Sequence, residues 1–265
     1  MISIILILLF VFSVLSVPVC HGVISGLYLY GMKIFPGLFI SFILTNILVR
    51  ILQQKNINNP WILVITGLMT GFPNGAYICS WYNKNNPENR LGDMLAGIIN
   101  IPSPAFLISY VYINILEKCI SLPMFLALTY TPVILCSYMV ILFFRDKDNK
   151  KDNAPHIKTG KKLIFHFFEE AVDSSINTAL KLGAYVIIFS VIVNIIMHFS
   201  QSNTAGLLIS YLFEISNGLA IIKNAGIPMN ITVLLTVLLD AFGGVCIIMQ
   251  TKSICSSYIS IKKYI

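Results

Sequence analysis

Residues 71–76, Gly-Phe-Pro-Asn-Gly-Ala, interrupt an apolar segment that runs from Trp61 to about Tyr82. Proline lacks a backbone donor and fixes φ, and glycine admits positive φ, so this stretch predicts a break in a helix. Inside a bilayer, broken backbone is tolerated only where protein or a water-filled cavity satisfies its polar groups. Two interpretations follow: a buried, functional break within the membrane, or a two-helix hairpin with an exposed Asn-Gly turn.

The composition of the chain indicates a membrane protein. Of its 265 residues, 57% are hydrophobic and 11% are charged, whereas soluble chains carry about 25% charged residues. Apolar runs long enough to cross a bilayer, about 20 residues, recur along the chain. The clearest lie at 2–19, 34–52, 122–144 and 177–199, and others at 61–82, 93–115, 205–222 and 228–250. We therefore predict an all-α, polytopic helical protein with the lipid bilayer as its first partner.

Charge and motifs exclude several classes of function. The net charge of +7 does not indicate a nucleic-acid partner, because the basic residues lie in short loops between predicted spans. The six cysteines and four histidines are scattered and show no metal-ligand spacing. No catalytic triad, zinc-protease motif or phosphate loop occurs, so we expect no enzymatic activity, cofactor or metal.

The first 20 residues have two interpretations. They are either a cleaved signal peptide or a retained transmembrane helix. No Lys or Arg precedes the apolar run, and Pro18-Val19-Cys20 does not resemble a cleavage site. These features favour a retained helix.

The second half of the chain repeats the first. Each half has a span, a segment with an Asn-Gly break, and a span broken by polar residues with Pro or Gly. Lys33 falls on Lys181 and Asn46 on Asn194 in this alignment. The aligned segments are 31–48 with 179–196, 73–75 with 216–218, and 100–104 with 240–244.

The basic residues predict how the breaks are used. If segment 61–82 enters and leaves on one side, Arg50, Lys84 and Arg90 share the cytoplasmic face with the basic loop at 145–162. If the segment crosses fully, that loop moves outside, against the positive-inside rule. We therefore predict re-entrant segments at both breaks and an inverted second repeat, an arrangement that secondary transporters share.

The predicted organisation has five parts. They are an N-terminal transmembrane helix and loop (1–32), a first repeat (33–144), a cytoplasmic basic loop and helix (145–176), a second, inverted repeat (177–252) and a cytoplasmic tail (253–265). In the third part, apolar residues at helical spacing oppose acidic ones between residues 162 and 178. This pattern predicts an amphipathic helix at the membrane interface, or else an ordinary cytoplasmic linker helix.

Glu214 and Asp240 are acidic residues within apolar segments, each beside a break. A carboxylate at membrane depth costs about 2.5–3.5 kcal/mol and marks a functional candidate. Cation coordination, proton relay and hydrogen bonding to a polar solute remain open, and so does a structural role as a helix cap. Polar residues and glycines near the breaks complete the candidate solute-binding set: Asn74, Gly75, Asn100, Ser103, Asn217, Gly218, Gly243, Gly244 and Gln250.

These breaks resemble those of a known family. The segments at 71–76, 100–106, 179–193, 212–218 and 241–250 are similar to the YlbJ-type sporulation integral membrane proteins, which belong with the gate (nucleoside recognition) domain proteins. The resemblance covers residues 33–252. Tyr77 departs from the resemblance, which leads us to expect a lysine at this position.

The resemblance implies a spore-forming bacterium and kinship with concentrative nucleoside transporters, whose sites use re-entrant hairpins and broken helices. We accordingly expect a multi-pass protein of the bacterial cytoplasmic membrane that binds or passes a small polar solute, nucleoside-like or not, with a coupling cation. The alternative is a non-transporting scaffold or assembly factor in spore formation. A homo-oligomer is compatible with either.

Overall fold

The computed structural model describes residues 2–54, 59–85, 91–144, 161–200 and 212–255. These residues form helices and their connections, with no strand among them. The helices are α1 (Ile2–Val14), α2 (Ser16–Tyr28), a π-helical stretch (Leu29–Ile34), α3 (Phe35–Gln54), α4 (Pro60–Thr70), α5 (Asn74–Asn85), α6 (Leu91–Ile99), α7 (Pro104–Phe106), a second π-helical stretch (Leu107–Ile115), α8 (Leu122–Phe144), α9 (Lys161–Ser200), α10 (Ile215–Asn224), α11 (Met229–Phe242) and α12 (Gly244–Ile254).

Five helical stretches in the described part of the chain are long and apolar enough to cross a membrane. They are Ser16–Leu52, Leu91–Ile115, Leu122–Phe144, Phe168–Ser200 and Met229–Ser253. The predicted all-α, polytopic membrane fold is thereby confirmed.

The N-terminal part differs from the prediction. We predicted a loop over residues 20–32, but α2, the π-helical stretch and α3 form one helical run. Gly22 and Gly26, which suggested a loop, face α9 instead. A Cβ atom on Gly22 would lie 2.6 Å from the Cα of Val191, and one on Gly26 would lie 2.9 Å from the Cα of Ile187. Small residues at this spacing let membrane helices approach closely. The loop prediction is wrong because these residues are helical and pack against α9.

Residues 162–178 are not a separate interfacial helix, because α9 is one helix of 40 residues. It packs antiparallel against α2 and α3. Arg50 of α3 forms an ion pair with Glu170 near the start of α9, and the Tyr30 hydroxyl donates to the carbonyl of Ala179 at 2.6 Å. Glu170, part of the predicted polar face, therefore contacts α3.

The segments that the sequence repeat aligns at its start also run antiparallel. Their equivalent asparagines make similar hydrogen bonds: the amide of Asn46 donates to Oγ of Ser175 at 2.9 Å, and that of Asn194 donates to Oγ of Ser25 at 3.3 Å. Each amide also donates to the carbonyl four residues earlier. An inverted repeat requires this antiparallel relation between its first helices.

Helices α4 and α5 form a helical hairpin. They have 11 and 12 residues, so each is only about 16–18 Å long, against a hydrocarbon core of about 30 Å. They pack against each other across the connection at 71–73, so the chain reverses direction there. A re-entrant segment needs this geometry.

The two ends of helix α8 mark opposite ends of the molecule. Near its C-terminus, Ile141 belongs to the same apolar cluster as Val49 of α3. Just before its N-terminus, Glu117 forms an ion pair with Lys223 at the end of α10, at 2.6 Å. The Arg50–Glu170 end carries the residues that we predicted to be cytoplasmic, and Lys223 lies at the other end.

Parts of the predicted organisation lie outside the described residues. These are the basic loop over residues 145–160, residues 201–211 of the second re-entrant segment, and the tail from residue 256. The boundaries at 144 and 252 fall close to the ends of α8 and α12.

Candidate functional site

The tip of the α4–α5 hairpin packs against the break in the next span. Gly71 has a φ of 68°, in the left-handed region that favours glycine. A Cβ atom at Gly71 would lie 2.4 Å from the backbone nitrogen of Ser103. The N–H of Phe72 donates to the carbonyl of Ile101 at 2.9 Å. The two breaks of the first half are thus joined by a hydrogen bond between their backbones.

Asn100 joins this pair of breaks to the second half of the chain. Its Oδ1 accepts from the N–H of Ala76 at 3.2 Å, and its Nδ2 donates to Oγ1 of Thr251 at 3.0 Å. The asparagine is buried, as is its threonine partner. Asn100 therefore supplies the polar cap at the start of α5 and fixes α12 beside it.

Gly75 and Ser103, both predicted site residues, serve the backbone. A Cβ atom on Gly75 would lie 2.7 Å from the carbonyl oxygen of Ile99, so α5 and α6 approach closely there. Ser103 caps α7, since its hydroxyl accepts from the N–H of Phe106 at 3.3 Å.

Glu214 caps the broken helix of the second half. Its carboxylate accepts from the N–H of Asn217 at 2.7 Å, at the start of α10. The side chain of Asn217 in turn donates to Oγ of Ser190 on α9 at 2.8 Å. The hydroxyl of Tyr110 donates to the carbonyl of Ser216 at 2.9 Å. Of the roles left open for Glu214, these bonds favour the structural cap.

The predicted glycines of the second half lie at the same junction. Gly218 makes the first helical bond of α10, from its N–H to the carbonyl of Glu214. Gly243 and Gly244 have φ values of 74° and 82° and separate α11 from α12. A Cβ atom on Gly244 would lie 3.2 Å from the carbonyl oxygen of Leu212. The break at 243–244 therefore packs on the break at 214.

Asn74 and Gln250 are buried and have polar atoms without a hydrogen-bond partner in the described residues. These atoms are Nδ2 of Asn74 and Oε1 of Gln250. Gln250 and Pro73, which precedes Asn74, line one narrow crevice together with Lys181 of α9. The crevice has no room for a water molecule. One donor and one acceptor without a partner among the described residues thus lie in or beside the narrow junction between the two halves.

Asp240 is fully buried near the end of α11. Neither of its carboxyl oxygens has a hydrogen-bond partner among the described residues. Tyr130 of α8 lies close enough to interact with it electrostatically, but the hydroxyl of Tyr130 donates to the carbonyl of Pro102. Asp240 and Glu214, which we predicted as equivalent candidates, therefore differ completely in their partners.

Thr232 and Thr236 belong with Asp240 but were not predicted. Both are buried, and the hydroxyl of Thr236 has no hydrogen-bond partner in the part of the chain that the structure describes. The three residues are spaced by four, which places them on one face of α11. This spacing is visible in the sequence and could have identified them.

The structure brings the predicted residues into two groups. Asn74, Gly75, Asn100, Ser103 and Gln250 lie at the hairpin tip and its contact with α12. The second group is formed by Glu214, Asn217, Gly218, Gly243 and Gly244 around the start of α10. Asp240 follows Thr236 on α11 and makes no hydrogen bond to either group.

Comparison of the chain with protein-family models gives no match, and comparisons with curated proteins and with solved structures give none either.

Proposed function

We propose that this protein is a gate-type integral membrane protein of the bacterial cytoplasmic membrane that binds a small polar solute at the junction of its two halves and passes it across. The resemblance to YlbJ-type proteins supports a role in sporulation and makes a nucleoside-like solute the first to test.

One observation carries the proposal: buried polar side chains around the broken helices have unused hydrogen-bonding atoms. Asn74 offers a donor, Gln250 an acceptor and Asp240 a carboxyl group. A buried polar group without a partner costs about 1–3 kcal/mol. A solute with hydroxyl, amide or ring-nitrogen groups would satisfy such atoms when the junction opens.

The alternative function is that of a membrane scaffold in spore formation. The closed crevice between Pro73 and Gln250 favours it, as does the use of Glu214 as a helix cap. A scaffold needs the breaks only to shape a surface for a partner. It would bind no small solute at the junction.

Solute binding is tested by thermal unfolding of the purified protein in lipid nanodiscs with a panel of nucleosides, nucleobases and other polar solutes. A ligand at 100 times its Kd stabilises the folded state by about 2.7 kcal/mol. We expect a stabilising solute for the wild type and no response in Gln250→Met or Asn74→Leu. Each variant removes an unpaired polar atom, and Gln250→Met also removes the weak bond from Nε2 to Sγ of Cys246 at 3.1 Å. Both should therefore leave the stability of the ligand-free protein close to that of the wild type.

Asn194→Leu is the matched control, because this asparagine lies on α9 and its amide is already bonded to Ser190 and Ser25. It should retain the response to the solute. Uptake of the same solute into proteoliposomes then distinguishes transport from binding. A panel in which no solute stabilises the wild type would favour the scaffold.

A further inference from the structure

Helix α11 carries a buried polar stripe that leads from its N-terminal end to Asp240. Thr232, Thr236 and Asp240 recur every four residues, so successive side chains lie about 5–6 Å apart at their Cβ atoms. All three are buried, and Thr236 and Asp240 are 0% exposed. Before Thr232, Met229 and Asn230 are exposed. The stripe therefore runs inward from an accessible helix end.

Among the described residues, no basic side chain binds the carboxyl group of Asp240. Helices α8 and α10 pack against α11. From α8, Tyr130 faces Asp240. The charged side chain of α10, Lys223, binds Glu117 and the carbonyl of Asn114 instead. Glu214, just before α10, is bonded to Asn217.

A lone carboxylate in such surroundings is strongly unfavourable, and buried acids neutralise instead. A sodium ion would require several oxygen ligands, whereas a proton requires only one carboxyl oxygen. Thr236, one turn away, has a hydroxyl that both donates and accepts. A hydroxyl in that position can hand a proton to or from the carboxyl group when its side chain rotates.

We propose that Asp240 binds a proton that enters along Thr232 and Thr236, and that this proton is the ion coupled to solute movement. The coupling rests on the proposed function, whereas the proton site does not. The proton comes from water at the Lys223 end of the molecule, binds a carboxylate oxygen of Asp240, and leaves as H⁺ toward the other side when the junction opens. No other bond changes.

The proton site is tested without a solute by infrared spectroscopy of the protein in nanodiscs at neutral pH. We expect a carbonyl band of a protonated carboxylic acid that disappears in Asp240→Asn and persists in Glu214→Gln, which removes another buried carboxyl group. A wild-type spectrum without this band would overturn the proposal. Disappearance of the band in Glu214→Gln instead would also overturn it.

The route is tested by the rate at which that band shifts in D2O. Thr236→Val, which keeps the shape of the side chain, should slow the shift several-fold. Thr129→Val is the control, because this buried hydroxyl of α8 donates to the carbonyl of Phe125 and lies outside the stripe. Equal rates in Thr236→Val and the wild type would overturn the route.

Coupling is tested in proteoliposomes with a solute found by the binding panel. An inward proton gradient should stimulate uptake by the wild type and not by Asp240→Asn. Stimulation by a sodium gradient at constant pH would overturn the assignment of the proton as the coupled ion. If the infrared band is present and no solute binds, the proposed function fails while the proton site stands.

Discussion

The breaks at 71–73 and at 214 are built alike and capped differently. At each, a glycine in a left-handed conformation brings one broken helix against the backbone of another: Gly71 against Ser103, and Gly244 against Leu212. The start of α5 is capped by the neutral amide of Asn100, from another helix. The start of α10 is capped by the carboxylate of Glu214 itself.

The difference shows that a position beside a break does not decide the role of a polar residue. Glu214 supplies the anion that a helix N-terminus favours, so its charge is already used within the fold. Asp240 lies beside a break too, but at the C-terminal end of a helix, and no N–H group of the described residues donates to it. The two carboxyl groups differ in their hydrogen-bond partners, and this difference distinguishes the structural residue Glu214 from the functional candidate Asp240.

The largest effect should come from a side chain at the tighter of the two glycine contacts. Gly71→Ala places a Cβ atom 2.4 Å from Ser103 N at a φ of 68°, and we expect a loss of about 3 kcal/mol or more in unfolding free energy. Gly244→Ala should cost about 1–2 kcal/mol, because its nearest contact would be 3.2 Å. Gly31→Ala, with nothing within 4 Å, is the control and should change stability little.

These stabilities can be measured by reversible unfolding in mixed micelles of detergent and SDS, with accumulation in the membrane as a second readout. Equal losses for Gly71→Ala and Gly31→Ala would show that the hairpin tip does not pack as described. A larger loss at Gly244 than at Gly71 would reverse the comparison between the two breaks.

Substitutions of Glu214 and Asp240 should affect different properties, stability in the first case and function in the second. Glu214→Ala removes a helix cap and should cost about 1–2 kcal/mol of stability. Asp240→Asn should leave accumulation in the membrane unchanged and abolish solute movement or the sporulation phenotype. The measurements are the unfolding free energy, the amount of protein in the membrane, and solute uptake or spore yield. Wild-type function in Asp240→Asn and in Glu214→Gln would leave the scaffold as the better account.

Cysteine labelling, which should perturb the protein least, tests on which side of the membrane the end of the α4–α5 hairpin lies. In single-cysteine proteins, Lys84→Cys at the end of α5 and native Cys255 should react with an impermeant maleimide from the cytoplasm, and native Cys119 from outside. Because burial raises the pKa of the Cys255 thiol to about 12, its thiolate is scarce at neutral pH. Its labelling should therefore be the slower of the two cytoplasmic sites and accelerate as pH rises. Labelling of Lys84→Cys from the Cys119 side would show that the hairpin crosses the membrane.

The sequence predicted the elements that depend on local chemistry. Proline and glycine at 71–76 and at 100–104 produce breaks at 71–73 and 100–103, and the apolar runs produce the long helices. It did not predict that residues 20–32 are helical, because glycines spaced by four suit both a loop and a close helix contact. The partner helix α9 decides between them, and that contact joins residues far apart in the sequence, such as Gly22 and Val191.

The candidate site was predicted in its members but not in their roles. Glu214 and Asp240 have the same chemistry and similar neighbours along the chain, so the sequence left the same roles open for both. Their partners are set by tertiary contacts: Asn217 bonds one of them, and no described residue bonds the other. Thr236 was not predicted, because it lies within an apolar run, one helical turn before Asp240, rather than at a break.

Helix α9 gives the molecule a rod about 60 Å long, since its 40 residues rise about 1.5 Å each. A hydrocarbon core is about 30 Å thick, so the helix is about twice as long as the core is thick. The Arg50–Glu170 ion pair holds the rod near one end, and Lys181 lies at its middle beside Gln250. Because a helix barely stretches, a protein bound at the Arg50–Glu170 end of α9 would transmit a displacement along the helix to the crevice beside Gln250.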